Sequence, residues 1–107
     1  MRNKEDEEFF YNVIKDLGHQ SWKLVWYKDS SVEGYCWRNI KKINIGPASE
    51  NVKRLMLHEI AHIDTCLGYG NKHKKEFWQK YDMLLKKYLP GTELSESEKY
   101  LKKLNEE

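Results

Sequence analysis

Apolar residues recur at helical spacing in several stretches of the chain and at alternate positions in others, and the two periods divide it cleanly. Phe9, Phe10, Val13, Ile14 and Leu17 repeat every three or four residues, which predicts a helix over 4–17 with Asn3 as cap and Gly18 as stop. Its acids Glu5, Asp6, Glu7 and Glu8 suit the positive end of the helix dipole. Residues 22–27 are aromatic and β-branched, with Trp22, Leu24 and Trp26 on one face, and predict a strand. The turn cluster 28–31 separates it from a second strand over 34–38, and 41–45 alternates again up to Gly46-Pro47. A central helix follows, with Ser49 as the expected cap and Gly68 as its end. Phe77, Trp78, Tyr81, Leu84, Leu85 and Tyr88 predict a third helix from Lys74, broken by Pro90-Gly91. Ser95-Glu96-Ser97-Glu98 has the form of a capping box for a short last helix with Tyr100, Leu101 and Leu104 inward.

This order predicts an α+β fold in which a small sheet of about three strands packs on the central helix, with flanking helices around it. At 107 residues the chain is one domain with a modest core, built economically from four tryptophans and seven tyrosines. Residues 92–107 form either a packing tail or a regulatory one. The chain is 34% charged with mean hydropathy -0.90, and no apolar run approaches a membrane span. Its start, Met1-Arg2-Asn3-Lys4-Glu5-Asp6, lacks the pattern of a signal peptide, so the expected location is cytoplasmic. Net charge is only +2 and lysines alternate with glutamates, which argues against nucleic acid as the primary partner. Cys36 and Cys66 are too few for a disulfide framework.

The chemistry concentrates in the central helix. Leu57-His58-Glu59-Ile60-Ala61-His62-Ile63 contains H-E-x-x-H within an apolar run. Four helical positions turn the chain through about 400°, so His58 and His62 stand one above the other. Two neutral imidazoles stacked in this way can hold one zinc ion. Leu55, Met56, Ile60, Ala61 and Ile63 make the surroundings apolar, and buried imidazoles need partners that a metal would supply. Glu59 lies one position round from His58, placed to act as general base toward a water that the metal acidifies to a pKa of about 7. The pattern is that of hydrolytic zinc sites.

A catalytic zinc takes three protein ligands and keeps one position open. Thr65 and Gly68 occupy the positions where a metzincin carries glycine and histidine, and the inverted H-x-x-E-H motif is absent. His73 and Glu76 remain, three residues apart beyond a loop. His73 gives a three-histidine site, and Glu76 gives two histidines and a glutamate.

His58-Glu59-Ile60-Ala61-His62, a loop, then His73-Lys74-Lys75-Glu76-Phe77-Trp78 resembles the SprT-like, YgjP-like and WLM group of small zincins, whose pattern is H-E-L-x-H followed by H-x-x-x-F-W. The likeness covers 55–81 and departs from the pattern at Lys74. It implies a zincin-like fold, His73 as third ligand and Phe77-Trp78 as the core anchor behind it. A less specific similarity to minimal gluzincins implies Glu76 as the alternative ligand and a terminal segment able to block the cleft.

The expected activity is zinc-dependent hydrolysis of peptide bonds in a peptide or protein substrate, with Glu59 as base and Tyr69 or Tyr81 as candidates to hold the oxyanion. The rival is a zinc-stabilised interaction or regulatory module that does not cleave. Such a module has no need of Glu59. Substrate is expected to add as a strand along 41–45, and the tail acids Glu93, Glu96 and Glu98 are placed to approach the site as a carboxylate plug.

Overall fold

The computed structural model describes residues 4–27, 34–46, 51–65, 75–92, 94, 98–100 and 102–103. Helix α1 spans Lys4–Asp16, strands β1, β2 and β3 span Lys23–Trp26, Gly34–Trp37 and Lys42–Ile45, and helices α2 and α3 span Val52–Thr65 and Lys75–Tyr88. The architecture is α+β, with one three-stranded mixed sheet and helices. Among the described residues, no helix is long and apolar enough to cross a membrane.

The local chemistry explains most of these bounds. Gly18, at φ 80°, takes the left-handed turn that ends α1, as glycine does without a Cβ penalty. Helix α2 begins one residue after Asn51, whose side-chain oxygen accepts from the Arg54 backbone N–H at 3.1 Å. Asn51 is therefore the N-cap, a correction to the expectation at Ser49, which lies outside the described residues. Both residue types cap well, and the cap falls where the chain leaves the helix axis. Gly91, at φ 89°, marks the turn beyond α3.

The sheet order is β1-β3-β2. Strand β3 runs parallel to β1, with Leu24 opposite Ile43, and antiparallel to β2, with Cys36 opposite Ile43. A 3₁₀ turn over Arg38–Ile40, then Lys41 at φ 53°, folds β2 back onto β3. The last strand in sequence thus inserts between the first two. This overturns the expectation that 41–45 offers an exposed edge to substrate, because β3 is paired on both sides. Ile43 and Ile45 are fully buried, and the most apolar face belongs in the middle.

One face of the sheet carries Ile43, Ile45 and Cys36 into the core, while Tyr35 and Trp37 stay exposed on the other. Helix α2 lies against β2 and β3, and it also contacts α1 and α3. Phe10, Val13, Ile14, Met56, Leu57, Ile60, Phe77, Tyr81 and Leu84 complete a continuous core around it. Tyr100 is 64% exposed, so its expected inward position in the last helix is not adopted. Leu101 and Leu104 lie outside the described side chains. Leu94 packs against the core.

Candidate metal centre

Arg54, His58 and His62 recur every fourth residue along α2 and so share one side of it. Phe77 and Tyr81 repeat at the same spacing on α3, and the two rows face each other. The His58 and His62 ring centroids are 5.2 Å apart. His62 stacks on Phe77 at 4.4 Å with the planes 24° apart. His58 meets Phe77 edge-on at 4.9 Å and Tyr81 at 5.2 Å. His62 is 1% exposed, whereas the His58 side chain keeps 16% of its surface. The imidazoles are therefore held on an aromatic floor, with His58 nearer to solvent.

Glu59 is buried at 5% exposure beneath the start of β2. A Cβ added at Gly34 would lie 3.2 Å from the Glu59 Oε2, 3.2 Å from the Asn44 carbonyl oxygen and 3.2 Å from Leu55 Cδ1. Glycine at this position is what allows the carboxylate, the helix and the strand to approach so closely.

An acid from the tail completes the described part of the site. Residues 98–100 and 102–103 are helical, and the Glu98 side chain is 12% exposed. Its Oε1 accepts from Arg54 Nη1 at 2.6 Å, and its Oε2 lies 3.2 Å from His58 Nδ1. The Tyr81 phenol is buried beside it, and its hydroxyl closes no well-formed hydrogen bond among the described residues. Burial first, and the Glu98 carboxylate second, push the phenol pKa well above its ordinary value, so Tyr81 stays neutral. Lys102 pairs with Asp82 at 2.7 Å, fixing the next turn of the tail against α3.

Of the residues singled out in the sequence, the structure brings His58, His62 and Tyr81 together and seats Glu59 on the adjoining side of α2. His73 and Tyr69 lie outside the described residues, as do Glu93, Glu96 and Cys66. Glu76 is exposed in the first turn of α3. Among the described residues, no group of three or more His, Cys, Asp or Glu side chains is placed to hold a metal ion. Two imidazoles one turn apart, one of them backed by a carboxylate, nevertheless fit the donor chemistry of a divalent zinc-like cation. Sequence reasoning missed Arg54 and Gly34. Arg54 stands four residues before His58, a spacing that marks it as a neighbour on the same face. Gly34 carries no comparable signal, since its role arises only from packing against α2.

No family model, characterised protein or solved structure matches this chain at a significant level.

Proposed function

We propose that the protein is a zinc-dependent metallopeptidase that cleaves peptide bonds of an extended peptide or protein segment, as expected of the small zincins of the SprT-like, YgjP-like and WLM group. The observation that carries this reading is the pairing of His58 and His62 on one face of α2 with a buried Glu59 carboxylate against the edge strand β2. A purely structural metal site has no use for a carboxylate in that position. His58 and His62 would hold the metal, with His73 as the third ligand and Glu76 as its alternative. Zinc, when bound, supplies a Lewis acid that acidifies water and polarises a peptide carbonyl.

The chain's own residues do the remaining work. Glu59 accepts the proton of the attacking water at a carboxylate oxygen and passes it to the departing amine. Its burial keeps the carboxylate from competing solvent, and Gly34 leaves room for it. Among the described residues strand β2 ends the sheet on this side, so a substrate segment adding along it would run beside Glu59. Neutral Tyr81 packs under His58 and keeps the metal-facing imidazoles in register.

The test is metal content together with cleavage of a casein-like protein, wild type beside Glu59→Gln. Zinc is expected to stay in the variant while hydrolysis falls by about two to four orders of magnitude. Near-wild-type cleavage by Glu59→Gln rejects the mechanism. A wild-type protein that binds zinc and cleaves nothing is instead the interaction module. His73→Ala is expected to strip the metal and Glu76→Ala to leave it bound; the reverse result makes Glu76 the ligand.

A further inference from the structure

We propose that Glu98, clamped by Arg54, is a positioning residue that fixes the tautomer and orientation of His58. The inference concerns His58 itself, and its bearing on metal affinity rests on the zinc reading above.

The argument begins with what a carboxylate can do. Ionised, it only accepts hydrogen bonds, so the proton in the 3.2 Å contact between Glu98 Oε2 and His58 Nδ1 belongs to the imidazole. Arg54 at 2.6 Å on the other carboxylate oxygen favours the ionised form and fixes the group in place. A neutral His58 with its proton on Nδ1 carries its lone pair on Nε2, the nitrogen that would then coordinate a cation. The carboxylate also stops the ring from turning about its side-chain bonds.

Two further contacts show that Glu98 is held there by the fold. Lys102, one turn later, pairs with Asp82 at 2.7 Å on α3, and Leu94 packs against the core. The acid therefore reaches His58 from a segment docked on either side of it. This gives the tail a role opposite to that of a plug: removing it would take a supporting group from the site.

The full-length, metal-free protein at neutral pH provides the decisive readout. Long-range proton–nitrogen NMR spectra report which ring nitrogen of each histidine carries the proton, and His58→Gln assigns the His58 signals among the four histidines. Wild-type His58 is expected as the Nδ1–H tautomer. Glu98→Ala should move it toward the Nε2–H form that unrestrained imidazoles favour, and Glu98→Gln, which keeps an accepting oxygen, should retain Nδ1–H. Zinc affinity, measured by competition with a chelator, should weaken about ten- to a hundred-fold in Glu98→Ala and less in Glu98→Gln.

Wild-type His58 found as Nε2–H, or with protons on both nitrogens, overturns the proposal, and so does an unchanged tautomer in a folded Glu98→Ala. If Glu98→Ala fails to fold, the wild-type and Glu98→Gln spectra decide alone. A wild-type chain that shows the Nδ1–H tautomer but binds no zinc supports the assignment of Glu98 and counts against the metallopeptidase reading.

Discussion

The two edges of the sheet are treated differently by the rest of the molecule. Strand β1 is closed off by α1. Lys23 and Tyr27 donate their backbone N–H groups to the carbonyls of Lys41, just before β3, and Ile45, so the intervening Leu24 N–H faces away from the sheet, as parallel pairing requires. That outward N–H is taken up by the Tyr11 hydroxyl of α1 at 3.2 Å, and Trp26 Nε1 donates to Glu7 at 2.7 Å. Strand β2 has no described strand beyond it, shows exposed Tyr35 and Trp37 side chains with ring centroids 4.5 Å apart, and begins at Gly34 against Glu59. An edge with unpaired backbone groups is a hazard unless it is covered or used. Here the covered edge is remote from the histidine helix's carboxylate, and the uncovered one adjoins it. On the metallopeptidase reading proposed above, β1 serves stability and β2 is the edge open to substrate.

The largest expected effect comes from filling the space at the head of β2. In Gly34→Ala the new methyl would lie 3.2 Å from three atoms, one of them a backbone carbonyl fixed by strand pairing. The carboxylate and Leu55 must therefore yield. A stability loss of about 1–3 kcal/mol is expected, as for other overpacked sites. Hydrolysis should fall about ten- to a hundred-fold through displacement of Glu59. Zinc content should be unchanged, so metal analysis beside a rate measurement separates displacement of the base from loss of the site. Wild-type activity in a folded Gly34→Ala protein would remove β2 from the mechanism.

A bound peptide inhibitor sharpens the contrast directly. Amide hydrogen exchange in β2 over 34–37 is expected to slow about two- to tenfold, in line with one added hydrogen bond per exchanging group. Exchange at Leu24 should not change, because its partner is already Tyr11. Equal protection at both edges, or protection confined to β1, would reverse the assignment.

How much of this could be read from the sequence depends on the range of the interactions involved. Local periodicity located α1, α3 and all three strands, because each stripe of apolar residues is a property of a few neighbouring positions. It could not order the strands. Lys42 and Asn44 alternate with Ile43 and Ile45, and that pattern fits a half-exposed edge as well as a central strand with one wet face. Only the parallel pairing with β1, about twenty residues away in sequence, decides the matter. The H-E-x-x-H spacing placed His58 and His62 together because both lie on one helix. Glu98 is forty residues from His58, and nothing in the spacing of Glu93, Glu96 and Glu98 tells which of them meets an imidazole or at which nitrogen. The Asn51 cap and the 3₁₀ turn before β3 were missed for a smaller reason: element ends depend on where the chain must turn, and several residues nearby have suitable chemistry.

Removing the lid from β1 is a weaker perturbation. Tyr11→Phe deletes the hydroxyl that accepts from Leu24 and leaves the ring, which packs edge-on against Phe10 at 5.1 Å. Because the bond is solvent-exposed, the expected cost is about 0.5 kcal/mol, at the lower end for a hydrogen bond. Faster exchange at the Leu24 amide and a concentration-dependent tendency to self-associate through β1 are the checks. Hydrolysis should be unaffected. A Tyr11→Phe protein with unchanged exchange at Leu24 would mean that α1 covers the edge by bulk alone.

The smallest effect is expected where α1 is tied down at its far end. Asp16 accepts from the Tyr88 hydroxyl and pairs with Lys87 at 3.0 Å, joining the last turn of α1 to the last turn of α3. The Tyr88 hydrogen bond first, then the Lys87 ammonium, holds the Asp16 carboxyl below its ordinary value. A depressed folded-state pKa means that the folded chain binds fewer protons than the unfolded one across that interval. The contribution is therefore complete above the ordinary carboxylate range and is lost as pH falls through it toward the lower folded value. Asp16 is exposed, so solvent screening keeps the effect small. Thermal melts from neutral pH down through the carboxylate range should show Asp16→Asn slightly less stable than wild type at neutral pH. The two curves should converge once Asp16 is protonated in both states of the wild-type protein. Leu24 amide exchange followed through the same titration links this clamp to the β1 edge. Relative to the intrinsic exchange rate at each pH, its protection should fall in wild type as the clamp is lost and start out lower in Asp16→Asn, while protection in β2 stays the same in both. Parallel curves with a constant offset would show that Asp16 acts through its size and not its charge.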